Sequence, residues 1–157
     1  MGSNSGELLH FHQDGKLIKK GTIHPGVRIR SVAFSKDFSI LATAAGDGCK
    51  IVNPETFDIL RVFKQEHPMN DVSISPLFDH PTHPKHHLIM GGGVDAKQAA
   101  QTKGAGFDIH LCNVMYGNEI GKLLTHFSPI SSLEFFKDGL GYVTCADDAY
   151  ITIVRFE

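Results

Sequence analysis

Apolar residues in this chain recur mostly at every second position, in short runs separated by turn-forming residues. The runs are LLHFH, RSVAFS, ILATAA, CKIVN, ILRVF, DVSIS, HLIMG, FDIHLCNV, LEFF, GYVTCA and YITIVRF. A period of two puts alternate side chains on opposite faces of an extended chain, which predicts half-buried β-strands. Helical periodicity is almost absent. Asp-Gly pairs at Asp14-Gly15, Asp47-Gly48 and Asp138-Gly139 mark tight connections, because glycine accepts the positive φ such turns require. The pattern predicts an all-β fold of about thirteen short strands, counting a strand around Lys16–Lys20.

Three segments can be laid over one another: IRSVAFSKDFSILATAAGDGCKIVN from Ile29, MNDVSISPLFDHPTHPKHHLIMGGG from Met69, and ISSLEFFKDGLGYVTCADDAYITIVRF from Ile130. Each holds an alternating strand, a polar turn and a second strand ending in small residues. The first and third then turn at an Asp into another strand. Val32, Val72 and Leu133 are equivalent, with spacings of 40 and 61 residues. A unit of about forty residues with four strands is the sequence signature of a propeller blade. The second unit exceeds that by 21 residues, 61 against 40. HPTHPKHH (80–87) and VDAKQAAQTKGAG (94–106) supply the excess as insertions. The expected organisation is the end of an incomplete blade at 6–22, blades at 24–65 and 67–125, and a last, incomplete blade at 126–157.

The repeats resemble WD-repeat blades. Such blades carry a His in the connection entering the blade, a Ser or Thr on the second strand, and an Asp in the turn that follows. The resemblance implies two structural networks: His24 with Thr43 and Asp47, and His126 with Thr144 and Asp148. Once buried, such groups must satisfy one another. His67 precedes the middle unit, which shows no clear Asp turn. The Trp usual in these blades is missing, since the chain has no Trp. The strand count amounts to three to three and a half four-stranded antiparallel blades, whereas propellers generally close with four to eight. The chain therefore reads as part of a larger propeller with open edges. It is a shortened gene product, an expressed fragment, or a piece that closes on another copy.

Composition narrows the function classes. Hydrophobic residues make up 41% and charged residues 20% of 157, enough for one domain with a core. The net charge of -2 and a pI near 6.5 provide no basic field for a nucleic-acid backbone, so no direct nucleic-acid binding is expected. No apolar run is long enough to span a membrane, and MGSNSGELLH lacks the features of a secretory signal. It also fits the myristoylation pattern poorly, with Gly6 at the sixth position. Cys49, Cys112 and Cys145 are far apart and odd in number, which suits reduced thiols in a cytoplasmic chain.

Several motifs invite chemistry. Gly91-Gly92-Gly93 could cradle a phosphate, but no GxGxxG or GxxxxGK pattern is present. A structural role at a crowded strand end is expected instead. His80, His83, His86 and His87 could share a metal ion; Pro81 and Pro84 break that segment, so a solvated loop is expected. The His–Thr–Asp sets have the inventory of a hydrolase triad. They recur at repeat-equivalent positions, however, as structural networks do, and no GxSxG is present. No enzyme activity, metal or cofactor is expected. Asp47 has a second reading as a rim carboxylate that a cationic or aromatic partner group could contact.

One stretch is more specific. LIMGGGVDAKQAAQTKGAGFDIHL, followed by NEIGKLLTHFSPISSLEFFKDGLGYVTCADDAYITIVRFE, resembles the family of the WD-repeat subunit i of eukaryotic translation initiation factor three. The family pattern is met at Gly91-Gly92-Gly93, Asp95-Ala96, Thr102, Gly106-Phe107, Glu119-Ile120-Gly121-Lys122 and His126-Phe127-Ser128-Pro129. The chain departs from it in lacking the N-terminal blades and the tail after the last blade, and in HPTHPKHH. The resemblance implies the C-terminal part of a seven-bladed propeller and a cytoplasmic scaffold in translation initiation. The partners it implies are the C-terminal helix of the factor's subunit b and subunit g, with the small ribosomal subunit contacted indirectly. A WD-repeat adaptor of another complex and a metal- or phosphate-binding protein remain as alternative readings of the residues.

Overall fold

A computed structural model of the chain describes residues 1–94 and 106–156. Its strands are β1 (Glu7–Phe11), β2 (Leu17–Thr22), β3 (Ile29–Phe34), β4 (Leu41–Ala45), β5 (Gly48–Val52), β6 (Ile59–Lys64), β7 (Met69–Ile74), β8 (His87–Gly92), β9 (Asp108–Asn113), β10 (Asn118–Leu124), β11 (Ile130–Phe135), β12 (Gly141–Ala146) and β13 (Ile151–Arg155). They form four antiparallel sheets in chain order: β1–β2, β3–β6, β7–β10 and β11–β13. Each four-stranded sheet runs from its first strand to its last without a crossover. The fold is a partial WD-repeat propeller of about three blades.

The sheets are layered, and the burial pattern shows how. The residues of β4 are all buried, as are those of β8 apart from half-buried His87, so neighbouring sheets cover both faces of these strands. In β6 only Phe63 is buried, and β10 is exposed along its whole length. Blades converge at their inner strands and diverge at their outer ones. This explains why NEIGKLL (β10) was not among the recognised runs: a strand with no buried face has nothing to make it alternate.

The first apolar layer joins Leu8 and Ile23 to Ile29, Leu41 and Val52. The second sets Ala42, Ala44, Cys49, Ile51 and Phe63 against Met69, Val72, Ile74, Leu88 and Met90. The third sets Ile89 and Ile109 against Ile130, Leu133, Phe135 and Tyr142. Small residues allow the close approach of the inner strands. A Cβ on Gly92 would lie 2.1 Å from the Pro68 carbonyl oxygen, and one on Gly91 would lie 2.9 Å from Ile130. Gly93 has a φ of 122°, and its N–H donates to the Pro68 carbonyl at 2.8 Å. The three glycines thus end β8 where the chain is most crowded.

The repeat alignment is reproduced in the register. Val32 faces Thr43, Val72 faces Met90, and Leu133 faces Thr144. Each first strand also carries a bulge at the same place, between Ile29 and Ser31, Met69 and Asp71, and Ile130 and Ser132. The extra residues are Arg30, Asn70 and Ser131. Bulges re-aim side chains and increase twist; Arg30 and Asn70 turn polar groups toward the neighbouring sheet, whereas Ser131 donates to Asp147 of its own sheet at 2.6 Å.

Candidate functional site

Alternating strand direction sorts the connections onto two rims. One rim carries the turns after β4 and β12, the links into β3, β7 and β11, and both ends of the connection from β8 to β9. The other carries the turns after β3, β5, β7, β9 and β11. The first rim gathers His24, Asp47, His67, His126 and Asp148. The core of the 94–106 insertion, with Asp95, Ala96 and Thr102, lies outside the described residues. The His80–His87 loop belongs to the opposite rim.

The structure brings His24, Thr43 and Asp47 together. His24 Nδ1 lies 2.5 Å from Asp47 Oδ1, and its Nε2 lies 2.8 Å from Thr43 Oγ1. The carboxylate can only accept, so Nδ1–H donates to it and Nε2 accepts from the threonine hydroxyl. His24 and Thr43 are fully buried. Burial lowers the His24 pKa, against the pull of Asp47 upward, which keeps the imidazole neutral. Lys50 faces Thr43 across the ladder; its Nζ donates to the Ile23 carbonyl at 2.8 Å and lies 3.2 Å from Asp47 Oδ2. Burial raises the Asp47 pKa, but His24 and Lys50 outweigh it and hold the carboxyl below its ordinary range. Both Asp47 oxygens are therefore engaged within the chain, while the side chain stays partly accessible.

The second set has the same arrangement. His126 Nε2 is 2.8 Å from Thr144 Oγ1, and Nδ1 is 3.1 Å from Asp148 Oδ2. The N–H groups of Phe127 and Tyr150 also donate to the Asp148 carboxylate, each at 3.0 Å. Burial works against ionisation here too, yet those amides and His126 prevail, and Asp148 sits below the usual carboxylate range. Thr152, not a lysine, faces Thr144.

The middle blade is built differently. Met90 stands where the other blades have Thr43 and Thr144, so His67 has no hydroxyl to meet. Its ring packs beside Gly106, where a Cβ would lie 2.3 Å from it. A separate pair does the joining: His110 Nδ1 on β9 lies 2.7 Å from Glu119 Oε2 on β10. Sequence reading missed this pair. Its register depends on a bulge between Glu119 and Gly121, and an isolated sequence does not display a bulge.

Sequence reading also missed a belt of hydrogen bonds across the inner strands. Asp71 of β7 accepts from Ser31 Oγ of β3 at 2.5 Å, and from Ser132 Oγ and Leu133 N–H of β11 at 2.8 and 2.9 Å. Ser31, Asp71 and Ser132 are repeat-equivalent, each one residue before the aligned Val32, Val72 and Leu133. One carboxylate thus ties three sheets. Beside it, Arg30 donates to Asn70, whose Nδ2 donates to the Ile130 carbonyl at 2.7 Å. The repeat alignment was the signal that could have exposed this belt: an acid between two serines at one shared position.

The remaining candidates do not converge on a chemical centre. His80 and His83 stack with ring centroids 6.2 Å apart, and His86 packs edge-on against Phe78 at 4.9 Å. His80 to Lys85 are exposed, but His86 and His87 are half-buried, so the loop is only partly solvated. The difference arises because Phe78 draws the His86 ring inward. Among the described residues no group of three or more His, Cys, Asp or Glu is placed to hold a metal ion. All three cysteines are free, with Cys49 and Cys112 buried; burial pushes Cys112 up to about 12 and Cys49 higher still. On the rim that carries the networks, a groove of about 890 Å³ runs between β6 and β9–β10, with Glu66, His67, Asp108, Glu119, Lys122 and Phe127 in its lining. Its lining carries side chains of both charges.

No family model matches the chain. Curated proteins do. It is 34% identical over 145 residues to eukaryotic translation initiation factor 3 subunit I of Drosophila willistoni, a match covering 90% of this chain and 42% of that protein. The same subunit of Drosophila grimshawi and of Drosophila melanogaster is 32% identical over the same shares. Over this stretch the chain is homologous to initiation factor 3 subunit I. It spans under half the length of the curated relatives it matches. The resemblance drawn from the glycine run, the insertion and the last blade therefore extends along nearly the whole chain.

Proposed function

We propose that this chain acts as a scaffold in translation initiation, holding other subunits of initiation factor 3 and performing no chemistry of its own. The observation that carries this reading is the similarity to subunit I over 90% of the chain. The fold supports it. The titratable groups of the two His–Thr–Asp sets are turned toward one another, as parts of a frame are, and Asp47 and Asp148 are occupied by donors from their own chain. We assign those sets the role of fixing the rim from which partners are bound. Asp47, with its remaining accessible edge, is the rim carboxylate proposed to give a partner its register. The C-terminal helix of subunit b and subunit g are the proposed partners, contact with the small ribosomal subunit is indirect, and the setting is the cytoplasm. Among the described residues no helix is long and apolar enough to cross a membrane.

The test is a pull-down of folded chain with the C-terminal segment of subunit b. Retention that weakens in Asp47→Lys, with the fold intact by circular dichroism, is the expected result. No retention of the segment by folded chain overturns the proposal.

A further inference from the structure

The HPTHPKHH insertion between β7 and β8 places four imidazoles within eight residues, and the scaffold role uses none of them. Their contacts suit neutral rings. His80 Nδ1 faces the N–H groups of Thr82 and His83 at 3.4 and 3.2 Å, and the Thr82 hydroxyl at 3.3 Å. It accepts from those amides, so the ring proton sits on Nε2. A protonated ring carries N–H on both nitrogens, which turns that acceptor into a donor facing donors. His83 stacks on His80 with ring centroids 6.2 Å apart, so two charged rings there would lie face to face.

His86 is the inner anchor. Its ring lies edge-on against buried Phe78 at 4.9 Å, and its Nδ1 is buried with no hydrogen-bond partner among the described residues. With its proton on Nε2, a neutral ring leaves Nδ1 as a bare acceptor. A charged ring adds an N–H there with nothing to receive it, and an unpaired buried charge costs far more than an unpaired lone pair. The backbone is clasped on either side. Lys85 N–H donates to the Leu77 carbonyl at 2.8 Å, and Val114 N–H, from the turn after β9, donates to the His86 carbonyl at 2.9 Å. His87 is half-buried at the start of β8; burial first, then Lys85 and His86, lower its pKa. Nearby charges do not offset this. Asp79 is the one carboxylate in residues 78–88, and among the described residues none of the four rings pairs with an acid. The turn after β9 has no acid, and Arg61 reaches its Met115 carbonyl at 3.2 Å. The turn between β11 and β12, which meets Leu77 at Gly139, carries Lys137 and an Asp138 already paired with Arg155 at 2.8 Å.

We propose that the 80–87 loop is a pH-operated latch on the rim opposite the His–Thr–Asp networks, closed on Phe78 while its imidazoles are neutral and released when they take up protons. Release opens the clasps at Leu77 and His86 and uncovers the Phe78 ring. Strand β8 keeps its ladders with β7 and β9, so the opening is confined to the loop. The closed loop binds fewer protons than the open one. Closure is therefore complete above the ordinary histidine value of about 6.5 and is lost as pH falls below it.

Amide hydrogen exchange of the purified chain, followed by NMR and corrected for intrinsic rates, tests this at about pH 7.5 and about pH 5.5, either side of the histidine value. On acidification the Lys85 and Val114 amides should lose about tenfold in protection for each imidazole whose proton the closed loop excludes, since the lower pH is about one unit below that value. The Ala42 and Ala44 amides of β4 should keep theirs. His80→Asn retains a side-chain oxygen to accept the same amides, and His86→Phe retains a ring against Phe78; neither new side chain takes up a proton. The double variant should hold most of its protection at both pH values. His12→Asn, on the exposed turn after β1, is the control and should respond as the parent does. Ring nitrogen shifts should place the His80 proton on Nε2 at the higher pH. Equal protection of Lys85 and Val114 at both pH values, an equal loss at Ala42 and Ala44, a response undiminished in the double variant, or a His80 proton on Nδ1 overturns the proposal.

Discussion

Asp71 joins three sheets through one carboxylate, and its removal should be among the most damaging changes of a half-buried residue in this fold. Asp71→Ala leaves the Leu133 N–H without its 2.9 Å acceptor and the Ser31 and Ser132 hydroxyls without theirs at 2.5 and 2.8 Å. A hydrogen bond to a charged group contributes about 1.5–3 kcal/mol, and a neutral one about 0.5–1.5. The backbone donor on β11 cannot turn away, so it takes about 1.5. The hydroxyls can rotate toward water, so each takes about 0.5–1. The sum is about 3 kcal/mol. In a domain of this size each kcal/mol shifts the melting temperature by about 2–4 °C, which gives a loss of roughly 6–12 °C. The assay is urea denaturation followed by circular dichroism, with Ser31→Ala, Ser132→Ala and the double variants measured beside it. Asp71→Asn keeps one accepting oxygen and should lose about half as much. The double variants should show coupling of about 0.5 kcal/mol or more, because the serines have nothing left to lose once Asp71 is gone. If Asp71→Ala stays within about 0.5 kcal/mol of the parent, the belt does not hold the blades together and the reasoning fails.

Three further outcomes follow from the same geometry. Because burial depresses the His24 pKa, the unfolded chain takes up a proton near pH 6.5 that the folded chain resists. Stability should therefore fall as pH drops below that value, and further in acid as Asp47 and Asp148 protonate. Urea midpoints across that range should show a flatter profile for His24→Gln and a steeper one for Asp47→Asn, which removes the group raising the His24 pKa; the opposite ordering would refute the assignment. Cys49 and Cys112, buried and with raised pKa values, should resist a thiol reagent until the chain unfolds, and rapid modification of either would contradict their placement. Gly92→Ala forces a Cβ to within 2.1 Å of the Pro68 carbonyl and should cost about 2 kcal/mol or more by melting temperature, whereas Gly121→Ala, where a Cβ meets nothing within 4 Å, should be near neutral.

Much of the architecture was legible because a propeller is a local fold. Each sheet is built from consecutive strands, so alternation, turn residues and a forty-residue period carry most of the topology. The His–Thr–Asp positions were legible because they recur with that period. The belt around Asp71 was harder to see, since its partners are 40 and 61 residues distant and meet only when neighbouring blades dock. The His110–Glu119 pair was hidden by a one-residue bulge that shifts the ladder register, and β10 by the lack of any buried face to impose alternation.

By itself, then, the sequence determined the all-β class, the recurrence of short strands and the resemblance to subunit I, because each is written in spacing and side-chain type along the chain. Tertiary structure alone decided which polar groups satisfy one another across blades and which histidines are drawn inward. These depend on how sheets pack in space, where a bulge or a missing side chain moves a partner by a whole residue and no linear pattern records the move.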